Sequence, residues 1–350
     1  MKRISVQPAW LFIDERGNRL DPKLFALISA IHEQGKLTAA AKKVGISYRH
    51  SWNMLNHWAG FFGCELVSLQ KGKGAKLTPL GEKLLWAQQR LSARLEPQLD
   101  SFASELNVEI QRTLDGMKPL LSMHASFGYA VALLPQCCDS FQLNLQYKDA
   151  EEALIALNKG SCDLAGFHLP VEHRAAKYCD NYLRHLRPRA HKIVRFITRS
   201  MGLMVEKGNP KEIACLQDLV DAPVRFINRE ASSGTRLLFD ELLMEEDLPV
   251  ESIQGYDDTE FTHSAVAAYV AAGMADVGFG VEAAARQFGL DFIELCHEDY
   301  LLACHQRTLE QEAMQRFLQA IRTAEFQQQV GALAGYNPQL CGTVVGVDDL

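Results

Sequence analysis

The stretch Thr38-Ala-Ala-Ala-Lys-Lys-Val-Gly-Ile-Ser-Tyr-Arg49 constrains this 350-residue chain more than any other. Alanines at 39–41 let one helix pack close to another. Gly45 supplies a turn where positive φ is needed. Ser47 caps the following helix, which carries Trp52, Leu55, Trp58 and Phe62 on its apolar side. The pattern is two helices across a glycine turn, burying Ala41, Val44 and Ile46 and leaving the first polar residues of the second helix outward. Thr38 is the expected N-cap of the first of the pair. A preceding helix, opened by Asp21-Pro22 and closed near Gly35, carries Leu24, Phe25, Leu27, Ile28 and Ile31 at helical spacing. Further on, 66–69 reads as a strand, 70–75 as a Gly/Lys-rich tip and 76–78 as the start of a return strand. Thr78-Pro79 then opens a long helix through about residue 106, with Pro97 expected to kink or divide it. A Gly17-Asn18 turn predicts a small hairpin within residues 1–20.

Charge separates this region from the rest. Between Lys36 and Arg94 ten Lys/Arg face only Glu65 and Glu82, a balance of +8, whereas the chain as a whole carries −7. A basic module within an acidic protein fits phosphate contact confined to that module, although an ordinary solvated basic face would look the same. The motif decides for duplex DNA. Ser47, Tyr48, Arg49, His50 and Asn53 reach bases or phosphates from the second helix, with Arg49 suited to a bidentate contact with guanine. Thr38 joins them at the front of the first helix. Lys71, Lys73 and Lys76 follow the backbone or minor groove from the wing.

After about residue 116 short apolar strands alternate with helices. Strands are expected at 120–125, 143–147, 163–168, 192–198, 203–206, 224–228 and 277–280, with helices at 129–134, 150–158, 235–243 and 263–272. Such alternation implies a parallel or mixed sheet covered by helices on both faces. Two strand-to-helix turns concentrate chemistry. One is Ser122-Met-His-Ala-Ser126-Phe-Gly128; the other is Asn228-Arg229-Glu-Ala-Ser232-Ser233-Gly-Thr235-Arg236. Hydroxyls and unpaired amides at a helix start bind anions, though Ser or Thr there is often only a cap. His124, His168 and His263 are further candidates that would otherwise be structural histidines. Asp163–His168 ends its strand toward the same crevice.

Residues 27–31, Thr38-Ala-Ala-Ala41, Gly45–Arg49, Trp52 and Gly74-Ala-Lys-Leu-Thr-Pro-Leu-Gly-Glu82 resemble the ModE-type, LysR-related winged-helix domain over about residues 20–105. That resemblance implies a homodimer, formed in part by the long helix with Leu84, Leu91 and Leu95, reading a palindromic site. Val224–Arg236, Gly255-Tyr256, Glu260–His263, Ala275–Gly278 and Gly280–Ala285 are similar to the periplasmic-binding-protein-like domain of ModE-like regulators, and the Arg229-x-x-x-Ser233-Gly-Thr235 portion also to tungstate-binding proteins. This implies that Ser126, Arg229, Ser233 and Thr235, with neighbouring Ser232, surround a tetrahedral oxyanion such as molybdate or tungstate. It also places His124 and His168 where related regulators carry histidines. Phe127-Gly128 stands where relatives commonly have a polar residue.

The fold expected is therefore an N-terminal all-α winged helix-turn-helix plus a C-terminal α/β two-lobed periplasmic-binding-protein-like domain. Its parts are a DNA-binding domain over 1–78, a dimerisation or linker helix over 79–115, a ligand sensor over 116–310, and a helix and tail over 311–350. The partners expected are double-stranded DNA, a small-molecule effector and a second copy of the chain. No cofactor or metal is expected. The gap in Cys296-His297…Cys304-His305 matches no zinc spacing, and no CxxC occurs among nine cysteines. Cys137 and Cys138 are adjacent and could not both serve one simple disulfide bridge; the cysteines read as free thiols, mostly buried as small hydrophobes. The first residues lack a secretory signal and no membrane-length apolar run occurs, so a cytoplasmic setting is expected. A rival reading is an enzyme on the second half, pairing His263 with Glu260 or Asp276. Another is a carrier of a pterin-like or small anionic ligand.

Overall fold

The computed structural model describes residues 4–13, 15, 17, 19, 21–70, 74–114, 118–172 and 178–350. The chain divides into two compact units. One is formed by 7–93 and the other by 1–6 together with 94–350.

The 7–93 unit holds α1 (Lys23–Gln34), α2 (Leu37–Val44), α3 (Tyr48–Phe62), β1 (Val67–Gln70), β2 (Gly74–Leu77) and the start of α4 (Pro79–Leu114). Leu24, Leu27, Ile28 and Ile31 of α1 are fully buried against Ala40, Leu55, Trp58 and Leu66. Gly45 closes α2 at φ 73°, and its amide and that of Ile46 return to the last carbonyls of that helix. Ser47 caps α3, its hydroxyl accepting from the His50 amide at 3.1 Å. β1 and β2 form an antiparallel wing, and the Ala75 amide donates to the Gly35 carbonyl at the end of α1.

The junction after the wing explains the Leu-Thr-Pro-Leu-Gly run. The Thr78 hydroxyl donates to the Glu65 carbonyl at 2.7 Å, and its amide to that of Leu66 at 3.0 Å. Gly81, one turn on, lies so close that a Cβ would stand 2.2 Å from the Leu66 oxygen.

Several expectations change. Thr38 is not a cap: α2 begins at Leu37, Lys36 occupies the N-cap position, and Thr38 is an exposed residue of the first turn. Trp52 is 42% exposed rather than buried, because Ser51, Met54, Leu55 and Trp58 fill the inner face of α3. Pro97 does not divide the long helix, which continues to Leu114 at the loss of one backbone bond. In the 1–20 segment Ile13 pairs with Arg19, while Asn18 of the expected turn lies outside the described residues. Lys71 and Lys73 also lie outside them.

The second unit is built on one sheet. Its first half contains β3 (Leu120–Ala125), α5 (Tyr129–Leu133), β4 (Gln142–Tyr147), α6 (Ala150–Asn158), β5 (Leu164–Pro170), α7 (Cys179–Leu183) and β6 (His191–Val205). Next come α8 (Asp218–Asp221), β7 (Phe226–Arg229), α9 (Gly234–Glu245), β8 (Thr259–Glu260), α10 (His263–Ala271), β9 (Val277–Val281) and α11 (Glu282–Gln287). The chain ends with β10 (Asp291–His305), α12 (Glu312–Ile321), α13 (Ala324–Gly331), β11 (Tyr336–Asn337) and β12 (Val344–Gly346). Strand order is β4-β3-β5-β10-β6-β9-β7-β8, with β11 and β12 also on β6.

Two parallel triplets, β4-β3-β5 and β9-β7-β8, flank the antiparallel pair β10 and β6. Each triplet with its helices is one lobe, and the two 15-residue strands serve both. Residues 298–304 of β10 pair with β5, and residues 201–205 of β6 pair with β9. The sequence suggested two strands at 192–198 and 203–206; the structure has one, because Arg199 and Ser200 continue the ladder across the junction. β3, β5, β7 and β9 all point their C-terminal ends at that junction, the position where open α/β sheets bind ligands.

Gly81→Ala is expected to lower the stability of the 7–93 unit by about 1–3 kcal/mol, since backbone must shift to admit the methyl. Gly60→Ala, in α3 with open space around its Cβ, should instead raise it by about 0.5–1 kcal/mol. Urea midpoints of the two variants test this; an unchanged midpoint for Gly81→Ala would contradict the close approach.

Candidate functional site

Four turns meet at the junction of the second unit. Ser126 follows β3, and His168 lies in β5, an entirely buried strand. The segment after β7 carries Arg229 and turns at Ser233 into α9. Thr262 caps α10, whose first residue is His263. Ser126 Oγ lies 3.1 Å from His168 Nε2, and Thr235 Oγ1 lies 3.5 Å from His263 Nε2. α9 starts directly on the His168 ring: a Cβ on Gly234 would stand 2.9 Å from His168 Cδ2 and 3.0 Å from the Tyr182 hydroxyl. The structure thus brings Ser126 and His168 of one lobe together with Arg229, Ser233, Thr235 and His263 of the other.

Ser233 has a structural duty, since its hydroxyl accepts from the Arg236 amide as the α9 cap. Its hydroxyl hydrogen is still available to donate. Ser232 is exposed and is hydrogen-bonded to Asp149, an acid from the opposite lobe whose pKa burial raises. His124 goes elsewhere. Its charged neighbours are Lys148 and Glu152, and burial with Lys148 lowers its pKa. Arg236 turns to Asp240 and stacks 4.0 Å over the Tyr256 ring, so only one arginine of that segment faces the crevice.

Sequence reasoning missed the centre of the arrangement. Arg199 on β6 and Glu298 on β10 are 2% and 0% exposed and joined by Arg199 Nε to Glu298 Oε2 at 2.9 Å. Tyr300 lies 5.6 Å beneath that guanidinium and donates to the Ser126 carbonyl at 2.9 Å. One signal existed in the sequence, a lone arginine inside the apolar run Phe196–Val205; nothing marked Glu298 as its partner.

The charges of the site are two arginines and the carboxylates that act on them, Glu298 on Arg199 and Glu230 and Asp149 on Arg229. Arg199 is neutralised by Glu298. Arg229 is half-buried, with Nε shut off from solvent and without a hydrogen-bond partner, while Nη2 donates to the Phe261 carbonyl at 2.8 Å. Burial pushes the Arg229 pKa down to about 10, which leaves it cationic at neutral pH. His168 is pushed down to about 4 by burial, with Glu298 opposing and Arg199 and Arg229 adding to the shift. Burial, then Arg229 and Arg199, hold His263 well below its ordinary value. Both imidazoles are therefore neutral at pH 7. If each Nε2 donates, the Ser126 and Thr235 hydroxyls are released to donate in turn. The chemistry offered is that of a donor-lined anion site: one guanidinium, hydroxyls, and the amides that start α9.

The rival acid–base pairs are taken apart. Asp276 is held by the amide, Nε and Nη2 of Arg225. Glu260 faces Arg94 at 3.6 Å. Among the described residues no group of three or more His, Cys, Asp or Glu is arranged to hold a metal. No helix among them is long and apolar enough to cross a membrane.

In the 7–93 unit α3 presents Tyr48, Arg49, His50, Trp52 and Asn53 outward. His50 approaches Asp21 at 3.6 Å and, with Asn53, Arg19 and His57, lines a cavity of about 250 Å³ beside the helix. Tyr48, Arg49 and Trp52 form the clear outer face. Thr38 and Lys76 are exposed.

His168 generates a pH signature. Its pKa is lower folded than the ordinary 6.5, so the unfolded chain binds more protons between those values. Its contribution is fully present above pH 6.5 and is lost as pH falls toward 4, by about 3 kcal/mol in all. His168→Gln should flatten the fall in urea midpoint over that window; an unaltered profile would show that His168 is not held neutral.

Residues 133–322 match the family described as the PBP superfamily domain. The uncharacterized protein YvgK of Bacillus subtilis (strain 168) is 31% identical over 201 residues, 57% of this chain and 64% of that protein. Molybdenum-pterin-binding protein MopB of Rhodobacter capsulatus is 32% identical over 109 residues, 30% of this chain and 40% of its own length. Molybdenum transport protein ModE of Herbaspirillum seropedicae is 32% identical over 81 residues, 22% of this chain and 30% of its own. The chain thus spans less than two thirds of each of these relatives. The family match covers more than half of the chain, which belongs to the PBP superfamily.

Proposed function

We propose that this protein is a ligand-responsive DNA-binding transcription regulator whose second unit senses a small tetrahedral oxyanion, molybdate or tungstate by preference. The observation that carries this reading is the Arg229 guanidinium, with Nε unpartnered in a crevice that also collects two neutral imidazoles, two hydroxyls and the start of α9. An oxyanion satisfies those donors at once, whereas an apolar ligand leaves them unpaired. The names of the MopB and ModE relatives supply molybdenum as the element.

DNA binding is supported by the +8 stretch between Lys36 and Arg94 and by the capped α3 with Tyr48 and Arg49 outward. In this reading a homodimer places two α3 helices on a palindromic operator in the cytoplasm, and anion binding biases the two lobes toward one arrangement. In this reading the protein binds its ligand without turning it over; Asp276 and Glu260, the acids that His263 was paired with in the rival reading, are engaged by Arg225 and Arg94.

Thermal unfolding with molybdate, tungstate, sulfate, formate and molybdopterin tests the sensor. A tetrahedral dianion at a hundred times its Kd should stabilise the fold by about 2.7 kcal/mol. Arg229→Ala should abolish the shift. Stabilisation by none of the anions, or an equal shift in Arg229→Ala, contradicts the reading.

A further inference from the structure

Cys137 and Cys138 have no place in the crevice, yet they are the only adjacent cysteines in the chain. They end the short 3₁₀ turn Leu134–Cys137, directly after α5. Both thiols donate to one acceptor, the Leu134 carbonyl, at 3.0 and 3.1 Å. Two sulfurs bound to a single oxygen are close enough for side-chain rotation to bring them onto a third atom. Both residues are half-buried, and a cavity of about 60 Å³ opens beside Cys138 between Pro135, Phe141 and the Asn107–Gln111 turn of α4. A small reagent can therefore approach.

The other cysteines differ. Cys162, Cys296, Cys304 and Cys341 are buried with thiol pKa values pushed up by burial. Cys64 and Cys215 are exposed but solitary. The Cys137 thiol is held below the ordinary range, chiefly by a hydrogen bond with Cys138. A thiolate is the reactive form, and a soft sulfur pair prefers a soft centre.

We propose that Cys137 and Cys138 form a vicinal dithiol site that captures trivalent arsenic. The step is a condensation without change of oxidation state. Each sulfur forms one bond to arsenic and each thiol proton leaves on a displaced hydroxide, so As(OH)₃ and two thiols give one dithioarsenite and two waters. In a monosubstituted arsenical, R–As(OH)₂, both hydroxides leave in the same way. The two sulfurs move from the Leu134 carbonyl to arsenic, and because both ligands sit on consecutive residues the chelate closes without large movement of the chain.

The test uses the full chain and phenylarsine oxide, read by intact mass after a wash with excess monothiol and again after a wash with a vicinal dithiol. One adduct should survive the monothiol and be stripped by the dithiol. Cys137→Ser and Cys138→Ser, which keep a donor for Leu134, should each lose it, whereas Cys341→Ser should keep it. Circular dichroism confirms that each variant is folded. Retention of the adduct in either serine variant, or its loss in Cys341→Ser, overturns the proposal, since the captured pair would then be a different one.

Discussion

The ion pair between Arg199 and Glu298 is the contact on which the second unit turns. It sits where β6 and β10 leave one parallel triplet and join the other, and shifts in the β10 register lie on either side of Glu298. Two charges there have given up almost all hydration. Such a pair is worth little relative to apolar packing, but breaking it costs about 3–5 kcal/mol, because the survivor is left buried and uncompensated. Two donors on one oxygen, Arg199 Nε and Nη2 to Glu298 Oε2, the Tyr300 ring beneath the guanidinium and the Tyr336 side chain make the burial tolerable.

That pair also sets the electrostatics of the crevice. Glu298 cancels Arg199, so Arg229 is the cation left to meet a ligand, with the Glu230 and Asp149 carboxylates also acting on it. The same low-polarity surroundings keep His168 and His263 neutral, which converts them from cations into hydrogen-bond relays behind Ser126 and Thr235. An anion entering such a site would find fixed donors in low-polarity surroundings, the condition under which a single guanidinium counts most. Because the donors come from both lobes, an anion held by all of them would favour the approach of the lobes.

Much of this was legible in the chain. Gly45, Ser47, the apolar spacing of 24–31 and the inward Leu55 and Trp58 made the helix pair legible, since local propensity and burial agree there. Ala150–Asn158 and the turn at Ser233 were equally plain. What stayed hidden depended on long-range pairing. The 291–305 segment mixes charged and apolar residues without a clean period, because it is part edge and part core of two triplets. Glu298 finds Arg199 only through register, across 99 positions of sequence. Trp52 looked like core because aromatic residues usually are; only the neighbouring Met54, Leu55 and Trp58 show that the inner face was already full. His124 misled for a simpler reason: alternation on β3 turns it to the Lys148 side of the sheet.

In the proposed regulator the crevice around Arg229 and the face of α3 are thermodynamically linked. Fluorescence anisotropy of a duplex selected by the protein from a random pool, titrated with and without saturating molybdate or tungstate, measures that link directly. The account predicts a change in DNA affinity of tenfold or more, equivalent to about 1.4 kcal/mol of coupling, that disappears in Arg229→Ala. Equal affinity with and without the bound anion would contradict it.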